Sequence, residues 1–145
     1  MADHLSMSLL LFRLGDLNCA VPVRSVREIV PLGLAARIPG ASADVEGLLN
    51  VRGRLVTVVD GRRALGRTEQ PGIEPSILLV ESNGRSIGLL VDEVNDLVTV
   101  PADSLDDGAD LPGVDGGLVR AVGRWEGEVF VLLDTEAMLA PVFGR

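Results

Sequence analysis

The sequence holds few residues that could carry out catalysis. None of its 145 residues is a lysine, which excludes a P-loop lysine, a Schiff base and a lysine general base. His4 is the single histidine and lies in a polar N-terminal segment that we expect to be mobile. Cys19 is the single cysteine, so no internal disulfide forms, and we expect it to pack as a small hydrophobic residue. One histidine and one cysteine do not make a zinc site.

Carboxylates are the remaining catalytic candidates, and several of them crowd one segment. These acids are Asp103, Asp106, Asp107, Asp110 and Asp115. Their spacing does not match a calcium loop, which places oxygen ligands at alternate positions and ends in a distal glutamate. We interpret the segment as a solvated surface loop and predict neither a metal site nor a cofactor. A carboxylate-dependent enzyme is the less favoured alternative.

The segment Gly47 to Gly53 (GLLNVRG) places two polar side chains between two glycines. Its two bracketing glycines permit turns whose backbone dihedrals other residues disfavour. Between them, Asn50 and Arg52 place two polar side chains on what we expect to be a tight turn. A guanidinium held this way can donate forked, charge-assisted hydrogen bonds to a carboxylate or a carbonyl. From the residues alone, an ordinary solvated arginine is the favoured interpretation, since isolated surface arginines are common, and docking of a partner is the alternative.

The elements that position this turn belong to an internal repeat. Leu11 to Val30 aligns without a gap on Leu79 to Val98, and Gly53 to Asp60 aligns on Gly127 to Asp134. Both halves have the order strand, turn, strand, short helix, long loop, strand, helix. Two copies indicate a pseudo-twofold domain and not a solenoid. The second half, from Gly117 to Gly127, lacks the N-V-R-G sequence, so the repeat isolates Asn50 and Arg52 as special to the first half.

Each half opens with a predicted hairpin followed by a predicted short helix. Gly-containing turns, Gly15-Asp16 and Ser82-Asn83-Gly84, separate the strands of the two hairpins. Behind Pro22, the apolar residues from Val23 to Val30 recur at helical spacing, and those from Val91 to Val98 do the same. We therefore expect two short helices that dock on the sheets.

Composition and charge narrow the class of protein further. Apolar residues make up 47% of the chain, with only three Phe, one Trp and no Tyr, which predicts a core of Val, Leu and Ile and therefore a β-rich fold. No apolar run reaches the roughly 18 to 20 residues of a membrane span, and we expect a cytoplasmic protein without membrane insertion. The net charge of −8, with no arginine cluster beyond Arg62-Arg63, argues against nucleic acid as a partner.

Several motifs in the right order resemble the CheW family, the adaptor proteins of bacterial chemosensory arrays. In the first half they are F-x-L-G from Phe12 to Gly15, A-V-P-V-x-x-V-R-E-I from Ala20 to Ile29, Ile38-Pro39, and G-L-L-N-V-R-G-R-L-V-T-V-V-D from Gly47 to Asp60. In the second half, Ile87 to Val94 and Val129 to Leu139 fit as well. The resemblance thus covers the chain from about Leu9 onward.

This resemblance implies a mainly β fold of two packed, SH3-like, five-stranded β-barrel subdomains with short helices, related by a pseudo-twofold duplication. We expect residues 1–8 to form a flexible N-terminal tail and residues 9–145 to form a single CheW-like domain. Within it, the first repeat spans about 9–75 and the second about 76–145.

The resemblance also implies a function without catalysis or a cofactor. Adaptors of this family bridge chemoreceptors (methyl-accepting chemotaxis proteins) to a CheA-type histidine kinase, by binding the cytoplasmic tip of the receptor and the regulatory domain of the kinase. Receptor binding in the family centres on a turn and the first helix, which here correspond to Arg52, Asn50, Gly47, Gly53, Val26 and Glu28. The kinase-binding residues stay unassigned. We expect the protein to lie in the cytoplasm, associated with membrane-anchored receptor arrays.

Two further alternatives follow from the same resemblance. The first is a CheW-like adaptor of a non-flagellar chemosensory system, such as type IV pilus or developmental signalling. The second is the regulatory domain of a larger kinase or receiver-linked adaptor. We expect the second to be wrong, because the chain starts at Met1 and has no phosphotransfer-type histidine within the predicted fold.

Overall fold

The chain folds mainly into β-strands, which confirms the predicted fold class. The computed structural model describes residues 5–31, 33, 35–36, 45–65, 75–82, 84–107 and 116–143. The strands are β1 (Ser6–Leu14), β2 (Leu17–Pro22), β3 (Val26–Pro31), β4 (Ala35–Ala36), β5 (Val45–Val51), β6 (Arg54–Asp60), β7 (Ser76–Ser82), β8 (Arg85–Val91), β9 (Glu93–Pro101), β10 (Asp106–Asp107), β11 (Val119–Trp125) and β12 (Glu128–Leu133). The α-helices are α1 (Gly61–Ala64) and α2 (Thr135–Phe143), and 3-10 turns cover Val23–Ser25, Ala102–Ser104 and Gly116–Leu118.

The strands form two six-stranded sheets, and each sheet draws on both halves of the sequence. The β1 sheet has the order β10-β11-β12-β2-β1-β9, and the β6 sheet has the order β3-β7-β8-β6-β5-β4. Neighbours are antiparallel except for β12 beside β2 and β6 beside β8. The β1-β2 hairpin thus joins strands of the second half, and the β7-β8 hairpin joins strands of the first. The two repeats exchange their opening hairpins.

The hydrophobic core has three parts, one between the sheets and one inside each sheet. Side chains from both sheets meet in the central part, among them Phe12, Leu78 and Ile87, which are fully buried. The β1 sheet curls around a second cluster that includes Phe130, and the β6 sheet around a third that includes Ile77. Strand β7 is buried on both faces, which explains why its sequence reads as a continuous apolar run instead of an alternating one.

The two short helices predicted behind the hairpins are wrong. Only a 3-10 turn follows Pro22, and the chain then enters strand β3, which pairs with β7. The equivalent segment of the second half is strand β9, which pairs with β1. The valines of β3 fit helical spacing and also fit period two, since Val30 is buried while Arg27 and Ile29 are exposed. β-Branched residues and an available sheet edge decide in favour of the strand.

Strand number and chain start also differ from expectation. Each sheet has six strands instead of five, because the two-residue strands β4 and β10 extend the edges at β5 and β11. Strand β1 begins at Ser6, inside the segment expected to be a tail, and the Ser8 and Thr99 hydroxyls lie 3.3 Å apart across the β1-β9 pair. His4 lies outside the described residues. In the described part of the chain, no helix has the length and apolar character needed to cross a membrane.

Candidate functional site

Strands β5 and β6 are joined by a two-residue turn that presents Arg52. Val51 pairs with Arg54 across the turn, and the residues between them have positive φ, 50° at Arg52 and 85° at Gly53. Positive φ at both central positions defines a type I′ turn, whose twist matches that of the flanking strands. Gly53 adopts this conformation freely, whereas at Arg52 it costs about 1–2 kcal/mol. The Arg52 side chain is 82% exposed.

Asn50 fixes the turn, while Gly47 lies away from it. The Asn50 Oδ1 accepts a hydrogen bond of 2.8 Å from the Gly53 amide, which ties the end of β5 to the turn. Gly47 is buried within β5, where the pairing with β6 changes register between Val45 and Gly47. Gly53 and Asn50 therefore shape the turn, and Gly47 shapes the strand that leads into it.

Val26 and Glu28 lie on strand β3 and not on a helix, which corrects their predicted placement. The Glu28 carboxylate reaches the turn, with 3.3 Å between its Oε1 and Nη2 of Arg52. Val26 is partly buried against the central core. The structure therefore brings Glu28, Asn50, Arg52 and Gly53 together, while Val26 packs towards the interior.

A groove of about 270 Å³ lies between β3, β7 and the Arg52 turn, and we call it the first groove. Its apolar lining comes from Val51, Val56 and Leu79. Its charged lining consists of Arg27, Glu28, Arg52, Arg54 and Glu81. A positive charge is therefore in surplus here, although the whole chain is acidic.

Among the described residues, two ion pairs lie along the first groove. One is the Arg52–Glu28 pair, and the other joins Nη2 of Arg27 to Oε1 of Glu81. The hydrogen bond from Arg27, opposed by partial desolvation and assisted by the charges of Arg27 and Arg54, lowers the pKa of Glu81 below its ordinary value. The same hydrogen bond raises the pKa of Arg27. Both groups are thus held in their charged forms at neutral pH.

Sequence reasoning missed three residues of this groove, Arg27, Arg54 and Glu81. Arg54 could have been found, because it follows the Arg52-Gly53 turn and must stand beside it on the hairpin. Arg27 is exposed on β3 between Val26 and Glu28, so a strand assignment would have placed it at the surface. Glu81 gave no signal, because only the pairing of β3 with β7 brings it to Arg27.

The second half carries the same turn with the opposite charge, which corrects the idea that the turn is special to the first half. Trp125 pairs with Glu128, and Glu126 and Gly127 between them have φ of 51° and 82°. In the described residues, Arg52 and Glu126 are the non-glycine residues with positive φ. The backbone symmetry is therefore kept, and the difference between the repeats lies in the side chains.

Among the residues that the structure describes, the catalytic candidates do not come together. Cys19 is fully buried in the central core, which confirms its predicted packing. Asp103, Asp106 and Asp107 are exposed, and Asp110 and Asp115 lie outside the described residues. A cavity of about 240 Å³ borders this segment, and Asp106 is the carboxylate that lines it. Within the described ranges, no group of three His, Cys, Asp or Glu residues is placed to hold a metal ion.

Known proteins share this sequence and this fold. The CheW-like domain family matches residues 8–142. The chemotaxis protein CheW of Rhizobium meliloti is 31% identical over 142 residues, which cover 94% of this chain and 92% of that protein. Protein PilI of Pseudomonas aeruginosa is 32% identical over 108 residues, 74% of this chain and 60% of that protein. The crystal structure of the scaffolding protein TtCheW from Thermoanaerobacter tengcongensis superposes with a TM-score of 0.85 at 20% identity, covering 96% of this chain and 93% of the other. The chain is therefore a member of the CheW-like domain family.

Proposed function

We propose that this protein is a non-catalytic adaptor that couples chemoreceptors to a CheA-type histidine kinase in chemotaxis-like signalling. The observation that carries the proposal is the Arg52 turn, in which a strained backbone holds an exposed guanidinium at the rim of a groove. Strain of this kind persists where the surrounding structure and function maintain it. Family membership and the similarity to CheW proteins support the adaptor role.

The receptor side of the adaptor is the first groove. Arg52 provides forked hydrogen bonds to carboxylates or carbonyls on a receptor helix, and Asn50 and Gly53 hold the turn that presents it. Glu28 pairs with Arg52 in the free chain and thereby restricts the directions that the guanidinium samples. Gly47 and Val26 act indirectly, by shaping β5 and by seating β3 on the core.

The proposal includes a cellular location and a mode of assembly. An adaptor that binds the cytoplasmic tip of membrane-anchored receptors works in the cytoplasm beside the receptor array. We expect single contacts to be of the transient kind, because interfaces around small modules of this kind are small, and the repetition of contacts in an array supplies avidity. The proposed adaptor function requires no metal, cofactor or nucleic acid.

Affinity purification from an extract of the native cells tests the proposal. The full chain with a C-terminal affinity tag serves as bait, and the Arg52→Glu variant, in which the exposed charge is reversed, serves as the matched control. We expect wild-type bait to recover a chemoreceptor and a CheA-type kinase, and the variant to lose the receptor. Recovery of neither partner by wild-type bait would contradict the adaptor function.

An adaptor of a non-flagellar chemosensory system is the second candidate. The match to PilI shows that relatives which do not carry the name CheW share this sequence pattern. The same purification distinguishes the two, because the receptors and kinase that are recovered identify the pathway.

A further inference from the structure

The molecule has two grooves that correspond to each other through the internal repeat. The second groove, of about 470 Å³, lies between β9, β1 and the Glu126 turn. The sequence alignment of the repeats, with the turn glycines Gly53 and Gly127 superposed, gives every residue that lines the first groove an equivalent that lines the second. The two grooves therefore have a common architecture and differ in their side chains.

The charges of the two grooves are reversed at three equivalent positions. The reversed pairs are Arg52/Glu126, Arg54/Glu128 and Glu81/Arg13. In the second groove Arg13 is paired with Glu93, with 3.3 Å between its Nε and Oε1 of the carboxylate. Asp96, Glu126 and Glu128 then leave a surplus of negative charge. The first groove suits an acidic ligand, and the second repels one.

Arg54 is the residue that gives the first groove its surplus positive charge. Arg27 pairs with Glu81 and Arg52 pairs with Glu28, whereas the side chain of Arg54 makes no hydrogen bond or ion pair within the part of the chain that the structure describes. It stands at the start of β6, directly across the turn from Val51, and its side chain is exposed. An incoming carboxylate can therefore bind Arg54 without first breaking an internal ion pair.

We propose that Arg54 is a further receptor-binding residue, that it pairs with a carboxylate on the receptor helix, and that Glu128 at the equivalent position excludes the same helix from the second groove. This inference rests on the proposed adaptor function. The occupant is one helix of the receptor tip that carries an acidic residue on the same face as an apolar one. The apolar side chain packs on Val56 and Leu79, while the carboxylate, one turn away along the helix, meets Arg54.

The test measures binding of the receptor-tip fragment that the purification identifies. Isothermal titration at low ionic strength compares full-length wild type with Arg54→Glu, Arg54→Gln and Arg120→Glu. Arg120 is exposed on β11 in the other sheet, so its variant carries the same change in net charge away from the first groove. Circular dichroism of each variant verifies that the exposed substitution leaves the fold intact.

We expect Arg54→Glu to weaken binding by about tenfold at low salt and by less at high salt, because charge reversal at an interface rim is screened by ions. Arg54→Gln falls between wild type and Arg54→Glu, and Arg120→Glu binds as wild type does. Changing the acidic residue of the receptor helix to arginine restores binding to Arg54→Glu. Equal affinity of Arg54→Glu and wild type overturns the inference and leaves the adaptor function standing. A loss of affinity in Arg120→Glu as large as that in Arg54→Glu does the same. Failure of wild type to bind the receptor tip removes the proposed function and this inference together.

Discussion

At the scale of single residues, Arg52 and Glu126 occupy a backbone conformation that favours glycine or asparagine. An Asn-Gly turn would close each hairpin with less strain. The chain instead places opposite charges at the two sites, each followed by a glycine whose φ exceeds 80°. This arrangement fixes the backbone position from which each charged side chain extends, because a tight turn joins the two strands instead of a long flexible loop.

Substitution of Gly53 and Gly127 tests whether the Arg52 turn and the Glu126 turn have equivalent backbones. A Cβ added at Gly53 or at Gly127 meets no atom within 4 Å, so Gly53→Ala and Gly127→Ala alter only the backbone preference. Each is expected to lower the free energy of unfolding by about 1 kcal/mol, measured by urea denaturation. Only Gly53→Ala should weaken binding of the receptor tip. A much larger loss of stability in one variant than in the other would show that the two turns are not equivalent.

At the scale of elements, a buried charge cluster joins the two sheets. Asp60 ends β6, Arg62 lies in α1, and Asp92 connects β8 to β9. The Arg62 guanidinium lies 3.3 Å from Asp60 and 3.5 Å from Asp92, and all three side chains are less than a tenth exposed. Asp92 also accepts a hydrogen bond from the amide of Gly15 in the β1-β2 turn. Arg62 thus holds together carboxylates that serve different sheets.

Removal of the Arg62 guanidinium should therefore destabilise the protein strongly. Arg62→Met leaves two buried carboxylates without their shared cation, at an expected loss of about 3–5 kcal/mol in the free energy of unfolding. Arg63→Met is the matched control, since Arg63 is half exposed and lies 3.7 Å from Asp60, and it should cost less than about 1 kcal/mol. Thermal and urea unfolding measure both. Similar losses in the free energy of unfolding of Arg62→Met and Arg63→Met would show that Arg62 is not the cation that holds the cluster together.

Elements of this fold were predictable from sequence to different extents. The hairpins followed from apolar runs interrupted by Gly15 and Gly84, because such turns are specified locally. The alignment of Asp60 on Asp134 matched two residues that cap helices. The carboxylate of each accepts a hydrogen bond of 3.0 Å from a backbone N–H in the helix that follows. The exchange of hairpins between the sheets was not predictable, because it depends on contacts between distant strands. The Arg27–Glu81 ion pair was not predictable for the same reason, because it depends on the register between the distant strands β3 and β7.

At the scale of the whole molecule, a duplicated β fold presents two equivalent grooves of opposite charge. Both halves contribute to the core between the sheets, and the reversed charges distinguish the two grooves from each other. The net charge of −8 would repel an acidic helix from most of the surface, so we expect the arginines of the first groove to direct where the proposed receptor helix binds. If the proposed function holds, we expect the receptor helix to bind the first groove and not the second.

Receptor-dependent kinase activation with purified components tests the central claim most directly. Receptor in membranes, the CheA-type kinase and this protein are combined, and kinase autophosphorylation is followed for wild type, Arg52→Glu and the control Arg120→Glu. We expect Arg52→Glu to fold normally but to lower activation by about tenfold or more, since it reverses the charge that the proposed receptor helix meets, whereas Arg120→Glu activates as wild type does. Activation by folded Arg52→Glu equal to that of wild type would contradict the placement of the receptor site at the Arg52 turn.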